Sequence, residues 1–261
     1  MLIRLIEFQK FDPHLNMAVD EAISIFVRDG KALPTLRLYG WDRKAVTIGE
    51  FQKIEEINRD FCIKNNIPVI RRPTGGKGIL HNDDITYSFS AKKEGRFRGG
   101  LFQSYMILGR VFAKAFSLTG ISVEIKKEKA LSNKSSLCFA LSSFGEICFK
   151  DKKIIGAAQK RWIDGFLQQG TIPLTVDRGL MKKIFLFHPD DAEKISGIKE
   201  LYNEFNIEIF QKNVKKALLE EGFEVVIGSL QKEEFLFAQE FLLKNYQLID
   251  NKIEMKQIQP C

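Results

Sequence analysis

Apolar positions along this chain recur at helical spacing in some stretches and at strand spacing in others, and the two periods divide it into elements. Leu15, Ala18, Ala22 and Phe26 share one face of a helix predicted over 13–29. Asp12-Pro13 offers a side-chain cap and a proline suited to the first helical position, and Gly30 closes the far end. Residues 35–39 and 45–49 read as strands flanking a Gly40-Trp41-Asp42-Arg43 turn. Ile54, Ile57 and Phe61 mark the buried side of a second helix over 53–65. The short strand Ile67–Ile70 then runs straight into Arg71-Arg72-Pro73-Thr74-Gly75-Gly76-Lys77-Gly78. At 85–90, Tyr87 and Phe89 alternate against Thr86 and Ser88, as on a half-buried strand. Leu101–Leu118 is the longest helical stretch, ended by Thr119-Gly120.

Residues 144–172 read as a β-meander, with strands Phe144–Phe149, Lys153–Ala158 and Phe166–Leu174. From about residue 177 the pattern changes to short helices rich in Lys and Glu, including 208–221 and 231–246. There is no internal repeat and no low-complexity tract. This order of elements predicts a mixed-sheet α/β (α+β) domain over 1–190, with a small helical C-terminal part over 191–261 packed on it.

Composition narrows the function classes. Of 261 residues, 44% are hydrophobic and 28% charged, the mix of a soluble globular protein. No apolar run approaches the roughly 20 residues that span a bilayer, so no membrane association is expected. The first residues read as a strand, too short and wrongly flanked for a signal peptide. Cys62, Cys138, Cys148 and Cys261 show no CxxC spacing, which argues against a zinc knuckle or a disulfide framework. A reducing cytoplasm is the expected compartment. The net charge of +7 suits nucleic acid, anionic lipid or an acidic protein. The lysines are spread along the chain and no nucleic-acid reader motif accompanies them, so no nucleic acid is expected as partner.

Three features carry candidate chemistry. The loop 71–78 concentrates two arginines, a threonine and three glycines, letting backbone N–H groups and guanidinium forks approach a phosphate or carboxylate. It is neither a Walker A loop nor a GxGxxG turn. Cys138 sits between polar residues just ahead of the meander, and Lys153 opens a meander strand. A thiol beside an ammonium favours the nucleophilic thiolate, and a lysine can shuttle the proton. Taken together the pair allows acyl transfer. Cys148, inside an alternating strand, reads as packing.

Read in order, several segments resemble the biotin/lipoate A/B protein ligase family and, within it, the LipM-type octanoyltransferase branch. Asn16-Met17-Ala18-Val19-Asp20-Glu21-Ala22 looks like the family's first helix, and Leu38–Trp41 with Ile48–Gln52 like its early strands. Arg71–His81 is similar to the family's RRxTGG loop, which binds the acyl donor or acyl-adenylate. Lys153-Ile154-Ile155-Gly156-Ala157-Ala158-Gln159 matches the segment that holds the active-site lysine, and Gln168-Gln169-Gly170-Thr171-Ile172 the strand that follows. Cys138-Phe139 occupies the place of the Cys-Phe pair of the LipM-type branch.

The resemblance implies a mixed-sheet biotin/lipoate protein ligase-like fold and a ping-pong octanoyltransferase of lipoate biosynthesis. Cys138 and Lys153 would be catalytic. Arg71, Arg72, Thr74, Gly75, Gly76, Lys77, His81, Gly156, Ala157, Gln169 and Gly170 would bind the acyl group and substrate. Octanoyl arrives on the phosphopantetheine of acyl carrier protein and leaves on a lysine of lipoyl domains, those of glycine cleavage H protein or of E2 subunits. No ATP and no metal are implied, and a monomer is expected. Three departures from the family pattern stand out: Gly78 for Ala, Asn82 for Asp, and Gln169 for His. The rival readings are an amidotransferase between lipoyl-bearing proteins, an ATP-dependent lipoate ligase that needs no cysteine, and a non-catalytic lipoyl-domain-binding protein. Donor preference separates the first, ATP dependence the second, and lack of turnover the third.

Overall fold

In the computed structural model, which describes residues 1–126, 147–186 and 189–245, the chain opens with strand β1 (Leu2–Phe11) and helix α1 (Pro13–Arg28). The Asp12 carboxylate accepts from the N–H groups of His14 and Leu15, with Pro13 in the first turn, as the sequence predicts. Strands β2 (Thr35–Trp41) and β3 (Ala45–Ile48) follow. The helix expected over 53–65 is instead a 3-10 turn, Ile54–Glu56, and a separate short helix α2 (Arg59–Lys64). Asn58 restarts it, its side chain accepting from Phe61 N–H. After β4 (Val69–Arg71) the Gly-rich loop leads into β5 (Ile79–His81), a strand not read from the sequence, and then β6 (Asp84–Lys92). Helix α3 (Leu101–Leu118) has the predicted bounds.

Strands β7 (Glu124–Ile125), β8 (Ile147–Phe149), β9 (Lys152–Arg161) and β10 (Gly165–Pro173) complete the meander. Then come α4 (Arg178–Ile184), α5 (Ile198–Leu201), α6 (Ile207–Glu220), strand β11 (Glu224–Gly228) and α7 (Lys232–Asn245). The C-terminal part, expected to be helical, therefore also contributes a strand. The main sheet runs β11-β1-β2-β6-β10-β9-β8-β7, and β4-β3-β5 form a second, small sheet.

One face of the main sheet packs on α3 and α6 through an apolar core. Tyr87 and Phe89 of β6, Phe166 and Ile172 of β10, and Phe112, Phe116 and Phe210 of the helices are all buried there. Each such side chain adds about 1.5–3 kcal/mol of burial free energy relative to exposure. The small sheet has its own core, where Ile48, Val69 and Ile57 meet Ile184 and Phe185. Helix α1 covers the other face of the main sheet and is itself covered by α7, with Val19, Ile23 and Ala238 between them. A fully buried ion pair fastens α7: Arg4 of β1 binds both carboxylate oxygens of Glu234, at 2.9 and 2.6 Å.

Candidate active site

The two sheets meet at a cleft open to solvent. Gly156, Ala157 and Ala158 of β9 with Gly170 and Thr171 of β10 form one side; Met17, Tyr39 and Trp41 contribute from α1 and β2. Thr47, Arg72, Ile79, His81, Thr86 and Gln169 complete the lining. Small residues on β9 leave room beside an aromatic and aliphatic surface, which is what an apolar chain needs. Gly170 has a second reason to lack a side chain. A Cβ there would come within 2.3 Å of the Tyr87 ring.

The Gly-rich loop is fixed by its own arginines. Arg71 Nη1 donates to the carbonyls of Gly49, Glu50 and Gln52, at 2.8, 2.9 and 2.8 Å, clamping the neighbouring turn. Arg72 Nη2 donates to the carbonyls of Gly75 and Lys77, at 2.7 and 2.9 Å. Gly76 adopts φ +88°, in the left-handed region that glycine enters freely. A Cβ on Gly49 would sit 2.0 Å from the Gly76 carbonyl oxygen, so the turn and the loop are in backbone contact. Lys77 reaches Glu56 at 3.4 Å. Gly78 lies under Phe185; a Cβ there would come within 2.3 Å of the ring, which accounts for glycine in place of the family's alanine.

Beneath the cleft lie two buried polar networks. Asp20, fully buried on α1, accepts from Arg37 Nη1 at 2.7 Å, Tyr39 Oη at 2.8 Å, Ser88 Oγ at 2.7 Å and Gln169 Nε2 at 2.8 Å. Gln169 turns its carbonyl to Thr74, whose hydroxyl donates to it at 2.8 Å. The glutamine found where the family has histidine thus ties α1 to the loop. Burial, followed by the Asp20 charge, pushes the Tyr39 phenol well above its ordinary range, so it stays a donor. In the second network His81 is sandwiched between Asp84 and Thr47, each 2.9 Å away, and its ring stacks on Trp41 at 3.9 Å.

Beside the Gly-rich loop, Lys160 pairs with Glu50 at 2.8 Å, while Glu50 N–H donates to the Thr74 carbonyl at 2.9 Å. Burial pushes the nearby Glu21 carboxyl up to about 7, with Lys160 opposing the shift and Glu50 adding to it.

Of the residues singled out in the sequence, Arg72, His81, Gly156, Ala157, Gln169 and Gly170 line the cleft. Thr74, Gly75, Gly76 and Lys77 lie in the loop above it, and Arg71 is engaged with the 49–52 turn. Lys153 is 8% exposed on β9, three residues before Gly156, in register with Cys148 of β8. Cys138 lies outside the described residues, as does Cys261. Asp20, Arg37, Tyr39, Trp41, Thr47, Asp84 and Thr86 were not singled out as site residues. Polar side chains at alternate positions of strands otherwise apolar were the signal available for most of them. Among the described residues no group of three His, Cys, Asp or Glu side chains is placed to hold a metal ion, and no helix is long and apolar enough to cross a membrane.

Comparison with known proteins agrees with this geometry. A family model described as the lipoyl protein ligase A/B catalytic domain matches residues 12–221. The octanoyltransferase LipM of Clostridioides difficile (strain 630) is 34% identical over 257 residues, covering 92% of this chain and 95% of that protein. The octanoyltransferase LipM of Exiguobacterium sibiricum is 35% identical over 192 residues, covering 70% and 69%. Among solved structures, a lipoate-protein ligase A bound with ATP superposes with a TM-score of 0.79 at 21% identity, covering 94% and 96%. A bi-partite lipoate protein ligase from Thermoplasma acidophilum, studied with its E2 lipoyl domain, gives 0.80 at 18%, covering 99% of each chain. The structural likenesses establish the fold. Together with the family model and the sequence relatives, they show that this chain belongs to the lipoyl protein ligase A/B catalytic domain family.

Proposed function

We propose that this protein is an octanoyltransferase of lipoate biosynthesis, which carries octanoyl from acyl carrier protein through a Cys138 thioester to a lysine of a lipoyl domain. The observation that carries the reading is the alignment of 92% of the chain with an octanoyltransferase at 34% identity. The cleft supports it, since a wall of Gly156, Ala157, Ala158 and Gly170 beside Met17 and Trp41 suits a medium-length apolar chain. Glycine cleavage H protein and E2 subunits are the lipoyl-bearing acceptors of this reading. The catalytic residues of this reading lie within 1–190, while α6, β11 and α7 belong to the same sheet and its faces.

In the first half-reaction the Cys138 thiolate attacks the thioester carbonyl. A new S–C bond forms, the pantetheine C–S bond breaks, and the departing thiolate takes a proton. In the second, the neutral lysine amine of the lipoyl domain attacks Cys138's thioester. An amide forms, the amine loses a proton, and the Cys138 thiolate leaves. Lys153 is the group assigned to hold and return that proton. The Arg72-fixed loop, with Thr74 on Gln169, positions the donor. A thioester is already activated, so the reaction balances without ATP.

The test is intact-mass spectrometry of the purified protein with octanoyl acyl carrier protein and no ATP. The expected result is an octanoyl adduct that disappears on adding a lipoyl domain and is missing in Cys138→Ala. Activity only with ATP and free acid would move the protein to the ligase reaction. Transfer only from an octanoylated lipoyl domain would make it an amidotransferase. Lys153→Ala should leave adduct formation at least about a hundredfold slower, within the range general acid–base groups contribute.

A further inference from the structure

A chain of buried hydrogen bonds runs under the cleft, and its direction follows from which groups can only donate. Arg72 has no acceptor, so its Nη1 gives hydrogens to Thr47 Oγ1 and to the Thr47 carbonyl, each 3.3 Å away. Thr47 Oγ1 lies 2.9 Å from His81 Nε2, and His81 Nδ1 lies 2.9 Å from Asp84 Oδ2. The same Asp84 oxygen accepts from Thr86 Oγ1 at 2.8 Å, while Thr86 Oγ1 itself accepts from the indole of Trp41 at 3.0 Å. An indole only donates, so the Thr86 hydrogen goes to Asp84. A neutral imidazole with its proton on Nδ1 then gives each of these contacts one donor and one acceptor, with both bonds to the carboxylate falling on Asp84 Oδ2 rather than Oδ1. Asp84 accepts from Nδ1–H, and the Thr47 hydroxyl donates to the Nε2 lone pair.

At its other end the chain reaches the loop. Arg72 Nη2 holds the carbonyls of Gly75 and Lys77 at 2.7 and 2.9 Å. In a trans peptide the next N–H points opposite to the carbonyl, so these two bonds fix the N–H directions of Gly76 and Gly78 as well. Glycine backbone has wide torsional freedom, and an outside clamp is what can give it one geometry.

We propose that Thr47 is a positioning residue of the transfer site, passing the orientation of the Asp84–His81 pair to Arg72 and thereby setting the peptide planes of Gly75–Gly78. The proposal rests on the reading above that this loop meets the acyl donor. Thr47 is 1% exposed, with its hydrogen on His81 and an oxygen lone pair on Arg72, so its hydroxyl holds rather than attacks. Nothing about Thr47 itself distinguishes it in the sequence. Only the fold sets it between a histidine of β5 and an arginine of the loop that follows β4.

The experiment compares wild type with Thr47→Val, which keeps the shape and removes the hydroxyl, and Thr47→Ser, which keeps the hydroxyl. The chain has three histidines, so nitrogen NMR of the imidazoles at pH 8 resolves His81. Wild type is expected to carry the His81 proton on Nδ1. In Thr47→Val, amide exchange at Gly76 and Gly78 should speed up roughly tenfold, the equivalent of one hydrogen bond to a charged group. The KM for the acyl donor should rise by about the same factor, with kcat within about twofold. Thr47→Ser should restore both. A wild-type proton on Nε2 overturns the proposal, as does a folded Thr47→Val with unchanged loop exchange. Should Thr47→Val not fold, the wild-type tautomer and wild-type exchange in Thr47→Ser still decide it. If wild type transfers no octanoyl, the functional reading falls, while tautomer and exchange continue to judge Thr47.

Discussion

Along β6, Tyr87 and Phe89 turn toward α3, where rings of Tyr87 and Phe112 lie 4.2 Å apart and those of Phe116 and Phe210 4.6 Å apart. The residues alternating with them, Thr86 and Ser88, turn the opposite way, into networks built on Asp84 and Asp20. One strand thus serves two kinds of interior. The apolar face is held by non-directional burial, which tolerates changes that keep volume roughly constant. The polar face is held by bonds of fixed length and direction, and a buried charge without its partner is costly. Buried ion pairs such as Asp20–Arg37 are a poor means of stabilising a fold. Here the pair fixes Gln169, and through it Thr74, to within a hydrogen-bond length of the cleft.

The contrast can be broken by equally small changes on the two faces. Asp20→Asn alters one atom and no shape, yet it removes the charge opposite Arg37 and turns one acceptor into a donor. It should cost about 3–5 kcal/mol in urea unfolding. A loss under about 1 kcal/mol would mean that the polar face is as forgiving as the apolar one. Glu21→Gln, at the rim of the same face, should act in the other direction. With its carboxyl raised to about 7 in the folded state from 4.5, the fold binds the proton more tightly than the unfolded chain does. Stability from this group is therefore fullest below 4.5 and falls as pH rises through 7. Allowing for partial solvent screening, Glu21→Gln should raise stability by about 1–3 kcal/mol at pH 8. Near pH 4 the gain should vanish; the same gain at both values would point to another group. Ile172→Val, on the apolar face of β10, should cost only about 0.5–1.5 kcal/mol and leave transfer rates within about twofold.

The sequence was most legible where local chemistry and tertiary context agree. The Asp12-Pro13 cap and the spacing from Leu15 to Phe26 yield α1 without reference to any neighbour. Tyr87 and Phe89 identify the inward side of β6 by alternation alone. It was least legible where the partner is remote. The Glu224–Gly228 strand pairs with the first residues of the chain, and no local pattern announces a parallel neighbour so far away. The helix over 53–65 failed because Asn58 is a better cap than an interior residue. In the site, the dense Arg-Gly loop drew attention by composition. Asp20, Thr47 and Asp84 did not, because one polar residue in a helix or strand looks solvated until the fold supplies its partners. The sequence also made Arg71 and Arg72 equivalent. The structure separates them, Arg71 bracing the 49–52 turn and Arg72 the loop over the cleft.

The parallel pairing of Leu2–Ile6 with Glu224–Gly228, sealed by Arg4 and Glu234, sets a timetable for synthesis. On a ribosome moving at about 5–20 residues per second, the first strand waits on the order of ten to forty seconds for its neighbour to emerge. Through that interval its outer edge offers unpaired backbone groups, and a guanidinium destined for the interior has no carboxylate. A nascent chain of this kind is a natural client for holding factors that cover an open strand, and helix α7, which brings Glu234 to Arg4, is the one that ends the need for them.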